Sequence, residues 1–260
     1  MPRAQINGIE LYFESHGEGP AVLFAHGAGG NHLSWWQQVP YFARAWRCIV
    51  FDHRAFGQSH DTAGAGRMSF ARDALGLLDH LGIERAFVVA QSMGGRTAAG
   101  LVLSAAQRVR GLVLAGTLGG AVSEETRGLQ RAFAATLPPG QTLVDRALAE
   151  RTVRERPDLA FLYRSIARLN PPRPRDFLAP RPGYQGSTAE RYARSGVPIL
   201  FLVGAEDRIV PPQIVEAAHH LVPGSRFGVI PDAGHSAYFE QAAFFNEAVG
   251  SFLRTIMEGT

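Results

Sequence analysis

The stretch AFVVAQSMGGR, residues 86–96, decides how the rest of the chain is interpreted. Its first five residues are short, apolar and partly β-branched, which predicts a buried strand, and residues 97–104 are rich in Ala and Leu, which predicts a helix. Ser92 therefore lies on a tight turn between a strand and a helix. Such a turn forces strained backbone angles on its central residue and needs small neighbours, here Gly94 and Gly95. The strain lifts the serine hydroxyl clear of the sheet, at the positive end of the helix.

This turn resembles the nucleophile elbow of the α/β-hydrolase family, whose pattern is G-x-S-x-G, with Ala90 in place of the first glycine. The resemblance implies a nucleophilic Ser92 and catalytic partners in the chain order Ser, Asp, His. On its own, the tetrapeptide SMGG also fits an ordinary serine in a glycine-rich turn. The residues elsewhere in the chain therefore decide between the two interpretations.

The candidate partners of this serine come from the last third of the chain. Residues 197–204 predict an apolar strand, and Asp207 follows it in the family's G-x-x-D spacing, with Glu206 as a rival acid. An acid just beyond the carboxyl end of a strand is placed to reach a histidine on a neighbouring loop. His235, preceded by a glycine, follows the last predicted strand. We therefore expect a catalytic triad of Ser92, Asp207 and His235.

A glycine loop near the start of the chain is a candidate oxyanion hole. Residues 21–25 predict an apolar strand, which runs into the sequence HGAGG at residues 26–30. Backbone N–H groups in such a loop can point into the space above the sheet, where a developing oxyanion needs donors. The resemblance implies that the N–H groups of Ala28 and Met93 supply them. We expect His26 itself to be structural.

A second motif, DHRAFGQS at residues 52–59, follows another predicted strand. The family pattern here is D-x-R-G-x-G-x-S, and the chain departs from it at Ala55. Asp52 and Arg54 have the chemistry of catalytic residues. The resemblance and an ordinary structural interpretation agree, however, that they hold the loop in place.

Three residues near these motifs are candidates for the substrate pocket. Asn31 and Trp36 follow the glycine loop, and Tyr238 follows His235. Two adjacent tryptophans cannot both face inward on a helix. We therefore expect Trp35 in the core and its neighbour near the pocket.

The remaining segments predict the fold class. Strands alternate with helices over residues 1–120 and 188–260, which is typical of a mostly parallel, doubly wound α/β sheet, here of about eight strands. Residues 121–187 break this alternation, and we expect them to form an inserted helical cap over the site. Its amphipathic helical stretches cover residues 124–136, 143–154 and 158–169, and a proline-rich, irregular piece covers residues 170–182.

Composition excludes several classes of protein. The chain of 260 residues has 46% hydrophobic and 19% charged residues, as in ordinary globular proteins. The single cysteine, Cys48, excludes an internal disulfide and a cysteine-based zinc cluster, and its apolar strand predicts an inert thiol. No leader-like segment or apolar run of about 18 residues is present. We therefore expect a cytoplasmic protein with no membrane partner.

All 26 basic residues are Arg, which excludes Schiff-base and P-loop lysine chemistry. The Arg residues alternate with acids, so the sequence predicts no nucleic-acid partner. Residues 121–190 hold 11 Arg against 8 acids and so carry the whole net charge of +3. This excess fits a solvated surface. Alternatively, one or two of these Arg side chains face the pocket and favour an anionic substrate.

Together these signals predict a serine hydrolase of a small carboxylic ester or lactone that needs no metal or organic cofactor. A serine at the elbow argues against epoxide hydrolases and haloalkane dehalogenases, whose relatives use Asp there. A hydrolase of C–C bonds in ring-cleavage products is the main alternative, although its relatives usually carry G-P-G where this chain has AGG at residues 28–30. A cofactor-free perhydrolase and a non-enzymatic small-molecule receptor on the same fold also remain. The sequence carries no signal for an oligomeric state.

Overall fold

The computed structural model describes residues 2–138, 140–174, 176–178 and 186–259, and within these ranges eight strands form one sheet. The strands are β1 (Arg3–Ile6), β2 (Ile9–His16), β3 (Ala21–Ala25), β4 (Arg47–Phe51), β5 (Ala86–Gln91), β6 (Val109–Ala115), β7 (Ile199–Gly204) and β8 (Arg226–Ile230). The helices in the same ranges are α1 (Val39–Phe42), α2 (Phe70–His80), α3 (Gly94–Ala105), α4 (Glu124–Thr136), α5 (Leu143–Arg146), α6 (Glu150–Glu155), α7 (Pro157–Arg168), α8 (Ala189–Ser195), α9 (Pro212–His220), α10 (Ala237–Glu240) and α11 (Ala242–Glu258).

The strand order is β1-β2-β4-β3-β5-β6-β7-β8. The first two strands form an antiparallel hairpin whose turn residues, Asn7 and Gly8, both have positive φ, and β2 also pairs antiparallel with β4. From β4 to β8 the pairing is parallel. Because the carboxyl ends of parallel strands meet at one edge, the loops after β3, β5, β7 and β8 come together there.

Strand β5 shows why the central strands have unbroken apolar sequences. Val88 and Ala90 belong to the hydrophobic cluster that includes the buried side chains of α2 and α3. Phe87 and Val89 belong to the cluster on the other face, which includes buried side chains of α1 and α11. Both faces are covered by helices, so alternate residues are buried on opposite sides. The predicted fold class, a doubly wound α/β sheet, is confirmed.

The insertion between β6 and β7 is helical in the described part of residues 121–187, with α4 to α7 and no strand there. The prediction of one helix over residues 143–154 is wrong, because α5 and α6 are separate. The helix is interrupted before α6 at Ala149, whose N–H donates to the side chain of Glu240 at 2.7 Å and does not continue α5. Residues 175 and 179–182 of the predicted irregular piece lie outside the described residues. The division into core and cap stays a prediction.

The surroundings of the Cys48 thiol bear on its expected reactivity, and the character of the helices bears on the expected membrane partners. Cys48 is fully buried in β4, and burial raises the pKa of its thiol to about 12, which keeps it protonated. Within the described ranges, no helix has the length and apolar character needed to cross a lipid bilayer. The cytoplasmic location stays a prediction.

Candidate active site

Ser92 lies in the turn between β5 and α3 with a backbone φ of +48°. This left-handed conformation costs a non-glycine residue on the order of 1–3 kcal/mol, so the surrounding packing must hold it. A Cβ on Gly94 would lie 2.1 Å from the carbonyl oxygen of Ala25, and one on Gly95 would lie 2.6 Å from a threonine hydroxyl. The glycines are therefore required for the close approach of α3 to the sheet, as the sequence predicts.

Asp207 and His235 are in direct contact. The Nδ1 atom of His235 lies 2.8 Å from Oδ2 of Asp207, and both side chains are buried. The other carboxylate oxygen accepts hydrogen bonds from the N–H groups of Ile209 at 2.7 Å and Val210 at 2.8 Å. These bonds fix the carboxylate, which in turn fixes the imidazole. The ring therefore keeps Nδ1 toward the acid and leaves Nε2 for other partners.

The rival acid, Glu206, points elsewhere. Its side chain is 41% exposed and lies 3.8 Å from the guanidinium of Arg151 at the surface. Of these two adjacent acids, Asp207 is the one in contact with His235.

A third carboxylate, Glu240, was not identified from the sequence. Its Oε1 atom accepts a hydrogen bond from the N–H of Gly234 at 2.9 Å, and its Oε2 atom accepts from the N–H of Ala149 and the hydroxyl of Thr152, each at 2.7 Å. Burial raises the pKa of this carboxyl above its usual value. No local pattern signals this role, because two of the three donors, those of Ala149 and Thr152, are far from Glu240 in the chain.

The glycine loop and the elbow bring two candidate oxyanion donors together. The N–H of Gly30 donates to the carbonyl of Gly27 at 3.0 Å, which closes the loop into a turn, and Ala28 lines the cavity next to Ser92. Met93 immediately precedes α3. Among the described residues, the N–H groups of Ala28 and Met93 donate to no protein acceptor. They are thus available to a ligand oxygen.

His26 holds this loop in place. Its Nδ1 atom lies 2.8 Å from the carbonyl oxygen of Gly27, and its Nε2 atom accepts the N–H of His53 at 3.0 Å. Burial lowers the pKa of His26 to about 4, so the ring is neutral at pH 7 and donates from Nδ1. These contacts are structural, in line with the expectation from the sequence.

The loop of residues 52–59 is also held by its polar side chains. The carboxylate of Asp52 accepts the N–H groups of His32 and Gln58, each at 2.7 Å. Buried Arg54 forms two hydrogen bonds to Asp73, at 2.6 and 2.9 Å. Ala55, the departure from the family pattern, has a φ of +66°, which a glycine would adopt without strain.

A cavity of about 410 Å³ lies at this edge of the sheet and contains both Ser92 and His235. Its core-side lining comes from the loops after β3, β5, β7 and β8, and the insertion supplies the rest. The lining residues are Ala28, Gly29, Gln91, Ser92, Leu143, Val144, Ala147, Tyr163, Pro171, Pro172, Arg173, Pro174, Phe177, Leu178, Ile209 and His235. A mostly apolar cavity of this size with a few polar groups is typical of a small-molecule site. Among the described residues, no cluster of His, Cys, Asp or Glu is arranged to hold a metal ion.

The three pocket residues expected from the sequence lie outside this lining, which corrects that assignment. Asn31 is buried and joins the loop to α7 through a 3.0 Å hydrogen bond from its Nδ2 to the carbonyl of Ile166. Tyr238 is buried against Trp35, with their ring centroids 4.7 Å apart. Trp36 is 44% exposed on the outer surface. Asn31 and Tyr238 are thus packed in the interior, and Trp36 faces solvent.

Comparisons with known proteins place the chain in a family. The family model for the alpha/beta hydrolase fold matches residues 20–242. The chain belongs to this alpha/beta hydrolase family. The arrangement of its sheet, with a serine turn after β5, agrees with that assignment.

Individual relatives differ in the reaction that their names describe. A thermophilic esterase from Thermogutta terrifontis, solved with malate bound, is 31% identical, with a TM-score of 0.83 over 98% of this chain and 99% of that one. Est816, described as an N-acyl homoserine lactone degrading enzyme, is 28% identical, with a TM-score of 0.77 over 96% of this chain and 100% of its own. A 2-hydroxymuconate semialdehyde hydrolase from Pseudomonas putida is 31% identical over 260 residues, 95% of this chain and 91% of the relative.

Proposed function

We propose that this protein is a serine hydrolase that cleaves a small carboxylic ester or lactone by way of an acyl-enzyme. The observation that carries the proposal is the placement of Ser92 and His235 on one cavity, with the imidazole held by Asp207 at 2.8 Å. The positive φ of the serine and its position before α3 support the role of nucleophile. We further propose that the insertion acts as a cap over this cavity, since it supplies a large part of the lining.

In the first half of the reaction, Nε2 of His235 removes the hydroxyl proton of Ser92 as Oγ attacks the acyl carbon. Asp207 keeps the imidazole oriented and stabilises the imidazolium. The N–H groups of Ala28 and Met93 donate to the oxyanion, each contributing about 3 kcal/mol to transition-state stabilisation. The imidazolium then gives its proton to the departing alcohol oxygen, and the acyl group remains on Ser92.

In the second half, His235 takes a proton from water as the water oxygen attacks the acyl-enzyme. The same two N–H groups stabilise the second oxyanion. The imidazolium returns the proton to Oγ of Ser92, and the carboxylic acid leaves. A lactone follows the same path, with the alcohol still attached to the acyl group until water releases both.

The names of the relatives support ester or lactone substrates. Two solved structures with more than a quarter of their residues identical to this chain are described as an esterase and a lactone-degrading enzyme. The mostly apolar cavity of about 410 Å³ suits the acyl and alcohol parts of a small molecule.

A second candidate, hydrolysis of a C–C bond, is favoured by one observation. The relative named 2-hydroxymuconate semialdehyde hydrolase is 31% identical and covers 95% of this chain. Serine-dependent activity on 2-hydroxymuconate semialdehyde, with slow turnover of simple esters, would move the assignment to that reaction.

The test is a panel of p-nitrophenyl esters from acetate to octanoate, with γ- and δ-lactones, assayed with wild type and Ser92→Ala. We expect Ser92→Ala to lower turnover by roughly 10⁴ or more. Ser104→Ala is the matched control, because Ser104 is exposed in α3 and its hydroxyl bonds only to a backbone carbonyl in the described structure. Near-normal turnover by Ser92→Ala would overturn the proposal.

A further inference from the structure

Arg173 is the one permanently charged residue among the described residues that line the cavity of Ser92 and His235. It belongs to the insertion, and it also lines a neighbouring cavity together with Asp61. The rest of the lining near the serine is apolar or neutral at the side chain, apart from the titratable His235.

Neutral groups hold the Arg173 guanidinium in place. Its Nη1 atom donates to the carbonyl oxygens of Ala55 at 3.1 Å and Pro171 at 3.2 Å. Its Nη2 atom lies 3.5 Å from the carbonyl oxygen of Ala28. The Cζ atom lies 3.9 Å from the centroid of the Phe56 ring, within cation–π range. These contacts orient the guanidinium without neutralising its charge.

No carboxylate of the described residues lies within 4.0 Å of this guanidinium. Asp61, which lines the neighbouring cavity together with Arg173, already has other partners: it accepts hydrogen bonds from Arg54 at 2.9 Å and from the N–H of Gly66 at 2.7 Å. Desolvation lowers the pKa of Arg173, as expected for a partly buried cation without a counter-ion. A bound anion would offset that desolvation cost.

We propose that Arg173 binds a carboxylate of the substrate, so that this hydrolase prefers esters or lactones that carry an acid group. The inference rests on the proposed function of the same cavity. A guanidinium has five N–H donors, and its contacts with the described residues leave some of them for a ligand, in a fork that matches a carboxylate. Arg173 contacts the carbonyl of Ala28, whose N–H is the proposed oxyanion donor. A carboxylate bound by Arg173 therefore lies close enough to the scissile carbonyl for both groups to belong to one small molecule.

The test compares kcat/KM within pairs of esters in which one member carries a free carboxylate and the other carries that group as an alkyl ester. The monoethyl esters of succinate, glutarate and adipate carry the carboxylate on the acyl side, and the diethyl esters are their neutral counterparts. O-acetylglycolate carries the carboxylate on the alcohol side, and its methyl ester is the neutral counterpart. Wild type should favour the acid in at least one pair by about tenfold to a hundredfold, the range of a hydrogen-bonded charge pair.

Two variants identify the residue responsible. Arg173→Gln should abolish the preference for the acid, and Arg173→Lys should retain part of it, since Lys keeps the charge but lacks the fork. Arg168→Gln makes the same change of charge at an exposed position of α7 outside the lining, so it should keep the wild-type preference. A purely structural Arg173 would lower kcat/KM for both members of each pair equally.

The outcomes separate the two proposals. Serine-dependent hydrolysis of the neutral esters without preference for any acid would overturn the role of Arg173 and leave the hydrolase standing. If wild type hydrolyses no ester, calorimetry on Ser92→Ala with monoethyl and diethyl glutarate still tests the subsite. Tighter binding of the monoester, lost in Ser92→Ala/Arg173→Gln, supports it, and equal binding of the two esters contradicts it.

Discussion

The Oε1 atom of Glu240 accepts a hydrogen bond of 2.9 Å from the backbone N–H of Gly234, the residue immediately before His235. The other oxygen of the same carboxylate accepts the N–H of Ala149 and the hydroxyl of Thr152 at the start of α6. One partly buried side chain thus joins the loop of the candidate base to the inserted helices. This link explains both the position of the loop and the break between α5 and α6.

Replacing Glu240 by Gln should loosen this link. Glutamine has one acceptor oxygen, so in either orientation its NH₂ group faces a backbone N–H, that of Gly234 or that of Ala149, in place of an acceptor. We expect a loss of about 1–3 kcal/mol in the free energy of unfolding and a lower kcat, measured by urea denaturation and by ester turnover on folded protein. Glu216→Gln, an exposed change on α9, is the control. Wild-type stability and kcat in Glu240→Gln would show that the link is dispensable.

Asp207→Asn should nearly abolish activity while the chain still folds. Asn keeps the oxygen that accepts the N–H groups of Ile209 and Val210 and presents NH₂ to Nδ1 of His235. Nδ1 must then accept a hydrogen bond, which places the ring proton on Nε2. Nε2 can then no longer take the hydroxyl proton of Ser92. We expect kcat to fall by roughly 10⁴.

Glu206→Gln provides the matched control for that experiment, because Glu206 is the adjacent acid and is 41% exposed. Its kcat should stay within about twofold of wild type, as for most surface changes. Loss of activity in Glu206→Gln with normal activity in Asp207→Asn would reverse the assignment of the acid.

Features of this fold that depend on residues next to one another in the chain are predictable from its sequence. Strand β5 and the glycines after Ser92 are readable because burial on both faces and close backbone approach constrain residues next to one another. The contact of Asp207 with His235 is long-range, and the sequence indicates it through the position of each residue after a predicted strand and the order of motifs in the resembled family.

The errors arise where packing between distant segments decides. Asn31 and Tyr238 are near the motifs in sequence, but their side chains pack into the interior instead of the cavity. Glu240 and Arg173 act through partners from other parts of the chain, so no pattern in their own neighbourhood signals them. The composition of residues 121–190 indicates an excess of Arg, but it does not indicate which one faces the cavity.

Stability should fall as the pH is lowered from neutrality. His26 binds a proton below about pH 6.5 in the unfolded chain but only below about pH 4 in the folded chain. Between these values the unfolded state binds more protons, so falling pH favours unfolding. His26 alone should cost about 2 kcal/mol between pH 7.5 and pH 5, and burial of His53, whose pKa is also lowered, adds to this loss.

Urea denaturation across this pH range measures the effect. His26→Asn should show a flatter dependence than wild type, whereas His60→Gln, at an exposed position, should keep the wild-type dependence. A free energy of unfolding that is constant between pH 7.5 and pH 5 would contradict the neutral state assigned to these buried rings.

Ala55→Gly should stabilise the protein. Ala55 has a φ of +66°, and relief of the strain in this conformation is worth about 1–2 kcal/mol before the greater backbone entropy of unfolded glycine is subtracted. We expect a net gain of up to about 1 kcal/mol in the free energy of unfolding, seen as a higher Tm. Ala63→Gly, at an exposed position without a positive φ, should bring no gain. A lower Tm for Ala55→Gly would mean that packing of the methyl group outweighs the strain.

Covalent labelling shows directly whether Ser92 is the nucleophile. Because the basic residues flanking the elbow are Arg85 and Arg96, trypsin releases Ala86–Arg96 as one peptide with Ser92 as its single hydroxyl-bearing residue. Wild type is treated with a fluorophosphonate or quenched during turnover of a slow p-nitrophenyl ester, digested and analysed by mass spectrometry. We expect one phosphonyl or acyl group on Ser92, with loss of ester hydrolysis in proportion to phosphonate labelling. Full ester hydrolysis by a protein whose Ser92 stays unmodified by both reagents would contradict it.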